Sequence, residues 1–330
     1  MTGEKVLVTG GGGFIGSHLI PKLVELDYDV YSLDRYVTGR YVLGNQRSVK
    51  TIFCNLNDYF SIRKNIRDIK PEYIIHLAAL SAVSFSYDHP LEVLETNFLG
   101  TVKLAEACLQ EVSHFKHFLF AGTSEEYGNQ KQVPIKESAE LRPNSPYSVS
   151  KVAADKYLQY LYEAYDFPVT IFRNFNTHGR KKNTHFVVER TIVQMLKGEQ
   201  VLLGDPTPVR DFMYVDDHVN AYLTCLGNEK AIGEVFNFCT SRGVSIEELT
   251  LNIRNFTDFK GDVIWNTIPA RPLDINVLIG DNSKAKTVLD WVPKNTLEEG
   301  LQKSIKLTRI VYLEFRLVNI WLYYTGSEKP

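Results

Sequence analysis

Val6-Leu7-Val8-Thr9-Gly10-Gly11-Gly12-Gly13-Phe14-Ile15-Gly16 is an apolar run followed directly by a cluster of glycines. The run predicts a short buried strand, and the periodic apolar residues after Gly16 predict a helix. Glycines between a strand and a helix permit a tight turn that brings backbone N–H groups of the helix N-terminus close to a phosphate. The stretch therefore predicts a dinucleotide site.

A second apolar run, residues 28–34, ends in Asp34, about eighteen residues after the last glycine of the cluster. An aspartate at this position can accept hydrogen bonds from the hydroxyls of an adenosine ribose, and it repels a 2'-phosphate. The residue therefore favours NAD over NADP. Arg35 follows immediately and weakens that preference.

Strand-like and helix-like segments continue to alternate along the chain. Apolar runs at 51–54, 73–79, 117–121 and 235–238 predict strands, and helices are expected at about 61–69 and 97–111. The pattern predicts an α/β fold, a doubly wound parallel (Rossmann) sheet with a smaller C-terminal substrate-binding lobe. We expect residues 1–175 to form the NAD-binding domain and 176–330 mainly the lobe, with about 210–240 returning to the first domain.

Composition narrows the function classes. The chain has 330 residues, of which 44% are apolar and 23% are charged, as is ordinary for a globular protein. Its formal net charge of −2 gives no general electrostatic attraction for nucleic acid, so no nucleic-acid partner is expected. Four cysteines without a C-x-x-C pair suggest neither zinc nor redox chemistry, and a reduced cytoplasmic location is expected. A strand within a few residues of the N-terminus leaves no room for a signal peptide, so we do not expect secretion.

Two short stretches carry candidate catalytic groups. Thr123, Ser124 and Glu125 follow the strand 117–121, and the carboxyl ends of parallel strands face the ligand crevice. Tyr147 and Lys151 lie four positions apart at the start of a predicted helix and so share one face. A lysine cation beside a phenol favours the phenolate, which can act as a base near neutral pH.

The chain resembles the extended short-chain dehydrogenase/reductase family, particularly the members that modify nucleotide sugars. The resemblance covers nearly the whole chain and depends on five ordered markers. They are Thr9–Gly16, His76-Leu77-Ala78-Ala79, Tyr147 with Lys151, Arg210-Asp211-Phe212-Met213-Tyr214-Val215-Asp216-Asp217, and Arg271-Pro272.

Within that family, Glu125 resembles the glutamate of 4,6-dehydratases and UDP-glucuronate decarboxylases, whereas 4-epimerases usually have a small hydroxyl or apolar residue there. Ser124 is similar to the serine of GDP-mannose and some UDP-N-acetylglucosamine 4,6-dehydratases. The resemblance implies an NAD-dependent 4,6-dehydratase that oxidises C4, eliminates water across C5 and C6, and reduces C6. The nucleotide stays open, and the alternatives are a decarboxylase, a 4-epimerase or a non-catalytic nucleotide-binding regulator.

The resemblance also implies roles for individual residues. The expected catalytic residues are Thr123, Ser124, Glu125, Tyr147 and Lys151. The expected cofactor-binding residues are Gly10, Gly13, Phe14, Ile15, Gly16, Asp34, Arg35, Asn55, Leu56, Leu77, Ala78, Ala79, Tyr147 and Lys151. The expected substrate-binding residues are Ser81, Asn176, Arg180, Arg210 and Arg271.

Further expectations concern metals and partners. His178 and His185 lack a third ligand at a convincing spacing, so no metal site is predicted. The resemblance implies a nucleotide-diphosphate sugar as substrate and a homodimer formed by the helix of Tyr147 and the helix at 97–111. Residues 310–324 are apolar but interrupted by polar residues, which predicts a terminal helix packed on the body or on a partner subunit; a peripheral membrane contact is the disfavoured alternative.

Overall fold

The computed structural model describes residues 3–35, 49–179, 184–198 and 200–324, with side chains up to residue 310. Its strands are β1 (Lys5–Thr9), β2 (Asp29–Asp34), β3 (Lys50–Phe53), β4 (Tyr73–His76), β5 (His117–Ala121), β6 (Val169–Asn174), β7 (Asn176–His178), β8 (Val201–Leu202), β9 (Val209–Arg210), β10 (Phe212–Tyr214), β11 (Val235–Phe238), β12 (Val244–Ser245), β13 (Val263–Ile264) and β14 (Val277–Leu278).

Helices alternate with most of these strands. They are α1 (Phe14–Glu25), α2 (Tyr59–Ile69), α3 (Val83–Asp88), α4 (Pro90–Leu94), α5 (Gly100–Glu111), α6 (Pro146–Tyr165), α7 (Val187–Lys197), α8 (Val215–Cys225), α9 (Ile246–Thr257), α10 (Ser283–Leu289) and α11 (Leu297–Tyr324).

Seven strands of the described residues form the main sheet, in the order β11-β6-β5-β4-β1-β2-β3. All neighbouring pairs in this sheet are parallel. The chain first runs outward from β1 to β3 and then returns to β4 on the other side of β1. This reversal opens a crevice at the carboxyl ends of β1 and β4, where ligands of such sheets bind. The predicted doubly wound fold is confirmed.

Helices cover both faces of the sheet. Because successive side chains of a strand point to opposite faces, neighbouring residues of one strand enter two different cores. Val6 and Val8 of β1 pack in one core with Leu19 of α1, on the face that α1 and α8 cover. Leu7 packs in the other core with Leu158 of α6, on the face that α2, α5 and α6 cover. A continuous apolar run is therefore what a central parallel strand requires.

A third core lies among α7, α9 and α11 and includes Ile192, Ile253 and Leu301. Strands β9, β12 and β14 form a separate small sheet, whereas β11 pairs with β6 in the main sheet. The division of the chain near residue 175 stays a prediction.

Two predicted elements have different bounds in the structure: strand β4 and the helix that contains Asn97. Strand β4 ends at His76 instead of Ala79, and the predicted helix at 97–111 begins with a π-type turn, Glu95–Leu99, before α5. The buried Asn97 amide accepts a hydrogen bond from Leu80 N at 2.8 Å and donates one to Leu80 O at 3.1 Å. The Asn97 side chain thus forms hydrogen bonds with both the N–H and the C=O of Leu80. These contacts hold the segment after β4 in a loop conformation.

The C-terminal segment 310–324 is helical in backbone, since it belongs to α11. Across the ranges described above, no helix has the length and apolar character needed to cross a membrane.

Candidate active site

A cavity of about 530 Å³ lies at the carboxyl edge of the main sheet. Most of the residues that the sequence predicts for the site line it. These are Gly10, Gly13, Phe14, Ile15, Gly16, Asp34, Arg35, Asn55, Leu56, Leu77, Ala78, Ala79, Ser81, Thr123, Ser124, Glu125, Tyr147, Lys151 and Asn176. Segments far apart in the chain therefore meet at one place, as the carboxyl-edge argument predicts.

Two predicted residues lie apart from this lining, and a third belongs to a part of the chain that the structure does not describe. Arg210 and Arg271 do not belong to the described cavity lining, but both act electrostatically on Glu125. Arg180 lies outside the described residues, as do residues 38–40 and the basic residues at 181 and 182. The substrate role of Arg180 stays a prediction.

The glycine turn has a shape that fits a pyrophosphate. Gly10 has φ +70°, and a Cβ at that position would come within 2.8 Å of Ala78 N, so only glycine fits there. Gly13 N donates to Gly10 O at 2.9 Å, which closes the turn directly before α1. Backbone approach and the positive end of the α1 dipole suit a phosphate group.

Asp34 ends β2 at the rim of this turn. Its carboxylate accepts hydrogen bonds from Gly12 N at 3.1 and 3.2 Å and from Ser32 Oγ at 2.7 Å. Burial raises its pKa, although these donors oppose the rise. Asn55 also holds a local turn, because its Oδ1 accepts from Asn57 N at 3.0 Å. Both side chains line the cavity and are held in place by these hydrogen bonds, and their roles in binding adenosine stay predictions.

Helix α6 begins where the sequence predicts and carries Tyr147 and Lys151. The Ser145 side chain caps it by accepting from Ser148 N at 3.1 Å, and Pro146 occupies the first turn. Tyr147 is 8% exposed and Lys151 is 3% exposed. Lys151 Nζ donates to Ala121 O at 2.7 Å, so the ammonium is held at the end of β5.

Thr123, Ser124 and Glu125 begin a short 3-10 turn directly after β5. Thr123 Oγ1 accepts from Glu125 N at 3.3 Å, and Thr123 N donates to Glu126 Oε1 at 2.9 Å. Thr123 therefore closes the turn in addition to lining the cavity. Its predicted hydrogen bond to a sugar oxygen stays a prediction.

The Glu125 side chain is 12% exposed, and its Oε1 lies 4.0 Å from Arg271 Nη1. Burial raises the pKa of this carboxyl, while the charges of Arg271 and Arg210 lower it. Arg210 in turn contacts Asp274 Oδ1 at 3.3 Å. Glu125 is thus a carboxyl whose proton affinity depends on two nearby guanidinium groups.

Sequence reasoning assigned no role to several polar residues that lie behind or beside the cavity lining. His76 is buried between Thr9 Oγ1 at 2.6 Å and Thr101 Oγ1 at 2.9 Å, and burial lowers its pKa to about 3, which keeps it neutral. His76 belongs to the marker His76-Leu77-Ala78-Ala79, but the sequence indicated no role for its side chain. Glu126 and Asp274 carried no sequence signal, because their partners are distant in the chain.

The charge of Lys151 is expected to give the free energy of unfolding a specific pH dependence. Burial lowers its pKa in the folded protein to about 8, against 10.5 as the ordinary value. Between these pH values the unfolded chain binds a proton that the folded chain lacks, so stability rises with pH. Relative to Lys151→Met, the wild type should gain about 3 kcal/mol across this window. Urea unfolding at several pH values measures the difference.

Lys156→Met provides the matched control, since Lys156 lies on the same helix and is exposed. It should follow the wild-type curve. Parallel curves for Lys151→Met and the wild type would contradict the prediction, because they would mean that Lys151 keeps its charge in both states.

A family model described as GDP-mannose 4,6 dehydratase matches residues 7–304. The putative UDP-glucose 4-epimerase of Methanocaldococcus jannaschii is 32% identical over 91% of this chain and 97% of its own length. Human dTDP-D-glucose 4,6-dehydratase is 28% identical over 93% of this chain and 90% of its own length.

Solved structures of two 4-epimerases are also similar to this chain. The UDP-glucose 4-epimerase of Thermotoga maritima with UDP-glucose has a TM-score of 0.87 and 34% identity, covering 93% of this chain and 99% of that one. The Thermus thermophilus UDP-glucose 4-epimerase complex with NAD has a TM-score of 0.85 and 29% identity, covering 92% and 99%. Together with the site geometry, these matches show that the chain belongs to the extended short-chain dehydrogenase/reductase family, among its nucleotide-sugar enzymes.

Proposed function

We propose that this chain is an NAD-dependent enzyme that oxidises a nucleotide-diphosphate sugar at C4. The observation that carries the proposal is the pair Tyr147 and Lys151, buried side by side in the cavity that the glycine turn and Asp34 also line. When bound there, NAD would accept a hydride from C4 and return it to the sugar. The relative solved with NAD supports this cofactor, and the turn at Gly10 has the shape to hold it.

Tyr147 is the proposed base for the C4 hydroxyl proton. A free phenol, with a pKa of ~10, is rarely ionised at neutral pH. The ammonium of Lys151 lies on the same helix face and favours the phenolate, since opposite charges stabilise each other strongly when buried. Thr123, at the facing end of β5, is proposed to orient the C4 oxygen.

Among the possible outcomes, the geometry supports 4,6-dehydration best, because Glu125 places a buried carboxyl in the cavity. A C4 ketone makes the C5 proton acidic, and Glu125 is proposed to remove it. The same carboxyl then gives that proton to the C6 hydroxyl, which leaves as water. Ser124 is proposed to orient this leaving group by a hydrogen bond. The C5–H and C6–O bonds break and a C5–C6 double bond forms. The hydride removed from C4 would then return to C6 and a proton from solvent would add to C5, which gives a 4-keto-6-deoxy sugar.

The second candidate is a nucleotide-sugar 4-epimerase. The similar proteins described above support this candidate better than they support a dehydratase. Several of the similar curated proteins and solved structures are 4-epimerases, at 31 to 34% identity. One structural observation agrees with this candidate. Glu125 lies 4.0 Å from Arg271, so it can serve as an ionic partner of that arginine, which is proposed to bind diphosphate, without taking part in proton transfer at C5.

A substrate panel separates these candidates. We expect one of GDP-mannose, UDP-N-acetylglucosamine or dTDP-glucose to lose one water, detected by mass spectrometry of the product. A 4-epimerase would leave the mass unchanged and give a second isomer by chromatography, and a decarboxylase would release carbon dioxide from UDP-glucuronate. No change in any nucleotide sugar would overturn the proposal and favour the non-catalytic nucleotide-binding alternative.

The diphosphate of the substrate is proposed to bind Arg210 and Arg271, whose guanidinium groups suit its geometry. A homodimer through α6 and the helical segment 97–111 also belongs to the proposal. Exposed apolar side chains on these elements, Leu99, Val149 and Tyr160 among them, support it. Sedimentation velocity is expected to give the mass of a dimer, and a monomer at micromolar concentration would contradict the proposed dimer.

A further inference from the structure

Three buried ionisable side chains lie directly beneath the turn that carries Thr123 and Glu125. Glu126 belongs to that turn, Asp155 to α6 and Arg173 to β6, and their exposed fractions are 0%, 0% and 2%. None of the three lines the cavity among the described residues. They therefore do not contact a bound sugar, and their effect on the site must pass through other residues.

Glu126 binds the backbone of the catalytic turn. Its Oε1 accepts from Thr123 N at 2.9 Å, and its Oε2 lies 3.4 Å from Arg173 Nε. A Cβ at Gly122 would approach Glu126 Oε1 to 2.9 Å, so the carboxyl packs tightly against the chain at the end of β5. This carboxyl therefore helps to fix the direction of the chain from Gly122 into Thr123.

Arg173 connects the turn to the catalytic helix. Its Nη2 and Nε donate to Asp155 Oδ2 at 3.0 and 3.2 Å, and its Nη1 donates to Tyr127 OH at 3.1 Å. Asp155 lies one helical turn after Lys151 on α6, so it shares a helix face with Lys151. A continuous set of polar contacts therefore joins Thr123 to the helix that holds Tyr147.

Charge balance favours a neutral Glu126. Two carboxyls share the guanidinium of Arg173 in a region without solvent, and two adjacent buried carboxylates repel each other. Burial and Asp155 both raise the pKa of Glu126 well above its ordinary value. A protonated Glu126 can donate to Asp155 with one oxygen and accept from Thr123 N with the other, which satisfies both oxygens.

We infer that Glu126 is a positioning residue, which fixes Thr123 and the following two residues at a set distance from Tyr147 and Lys151. The inference rests on the proposed function of that site. Thr123, Ser124 and Glu125 belong to a short turn, and displacement of a reacting group by an ångström can cost about 10²-fold in rate. A link from the turn to α6 through Arg173 keeps the two groups of side chains in register.

The test compares Glu126→Leu with Glu126→Gln. Leucine has a similar size but no acceptor for Thr123 N, so kcat should fall by about 10²-fold while KM changes by less than about threefold. Glutamine keeps an oxygen for Thr123 N and an N–H for Asp155, as the protonated acid does, and kcat should stay within about threefold of the wild type. Hydrogen exchange of the peptide 120–128 should become faster in Glu126→Leu and stay slow in Glu126→Gln.

Glu137→Leu is the matched control. The backbone oxygen of Glu137 also accepts from Arg173, at 3.0 Å, and its side chain accepts from Asn237 N at 2.9 Å, but it does not contact the catalytic turn. This variant should lose stability without the drop in kcat or the faster exchange at 120–128.

Wild-type kcat in Glu126→Leu, or an equal loss in Glu126→Gln, would overturn the inference. Exchange that stays slow at 120–128 in Glu126→Leu would do so even if that variant is too unstable to assay. If the wild-type protein turns over no nucleotide sugar, the proposed function fails by itself, and the exchange data still decide whether Glu126 holds the turn.

Discussion

Tyr147→Phe should lower kcat by about 10²- to 10⁴-fold, which is the range for losing a positioned acid–base group. The substitution removes one oxygen from a side chain that is 8% exposed and leaves its ring in place. The hydroxyl proton of the sugar then has no acceptor with the affinity of a phenolate. Steady-state assays with the substrate found in the panel measure the loss, and calorimetric titration of NAD should show affinity close to that of the wild type.

Tyr157→Phe is the control for this prediction. Tyr157 lies on the same helix but donates to Glu106, and it does not belong to the described cavity lining. Its variant should keep wild-type turnover. If Tyr147→Phe also kept wild-type turnover, Tyr147 would not be the base at C4, and the proposal would lose the observation that carries it.

The fold and most of the cavity could be predicted from the sequence because each depends on a local pattern. Val6 to Val8 identify a strand that is buried on both faces, and Gly10 allows a turn where a side chain would clash with Ala78. Parallel strands bring their carboxyl ends to one edge, so a residue that follows any of them is expected at the cavity. Thr123 and Glu125 were found in that way.

Contacts between distant segments could not be predicted in the same way. Arg173 binds Asp155 and lies close to Glu126, yet nothing in the local sequence around any one of them indicates the other two. The position of Arg271 beside Glu125 likewise depends on a loop far along the chain. Both arrangements affect the chemistry of the site, because they set the position and the proton affinity of its carboxyls.

The choice between epimerase and dehydratase depends on such long-range contacts. The sequence places Glu125 at the end of β5, and both fates of a C4 ketone are compatible with Tyr147 and Lys151. What differs is whether Glu125 acts as a base or stays an ionic partner of Arg271. Relatives on the two branches share the fold, so the fold does not decide between them.

Glu125→Gln should separate the two roles. An amide cannot take a proton from C5, so in a dehydratase we expect loss of water to fall by about 10²- to 10⁴-fold. In heavy water, the wild-type enzyme should also place solvent deuterium at C5, and the variant should not. Mass spectrometry measures both effects, while calorimetric titration of the nucleotide sugar checks that binding is kept.

Glu163→Gln, an exposed carboxylate on α6, controls for the loss of one negative charge and should change neither measurement. Unchanged loss of water in Glu125→Gln would contradict the role of Glu125 as base. A wild-type enzyme that interconverts the C4 epimers without deuterium at C5 would favour the epimerase candidate.

The charges around Glu125 are a reason to expect that the loss of activity in Glu125→Gln lies near the upper end of the range of about 10²- to 10⁴-fold. Before substrate binds, burial raises the pKa of this carboxyl, and the charges of Arg271 and Arg210 offset part of that rise. A diphosphate bound to the two arginines would offset their charges, so the pKa of Glu125 should rise further on binding. Its carboxylate would then become a stronger base when the sugar is in place. Glutamine cannot reproduce this response, which links substrate binding to proton transfer.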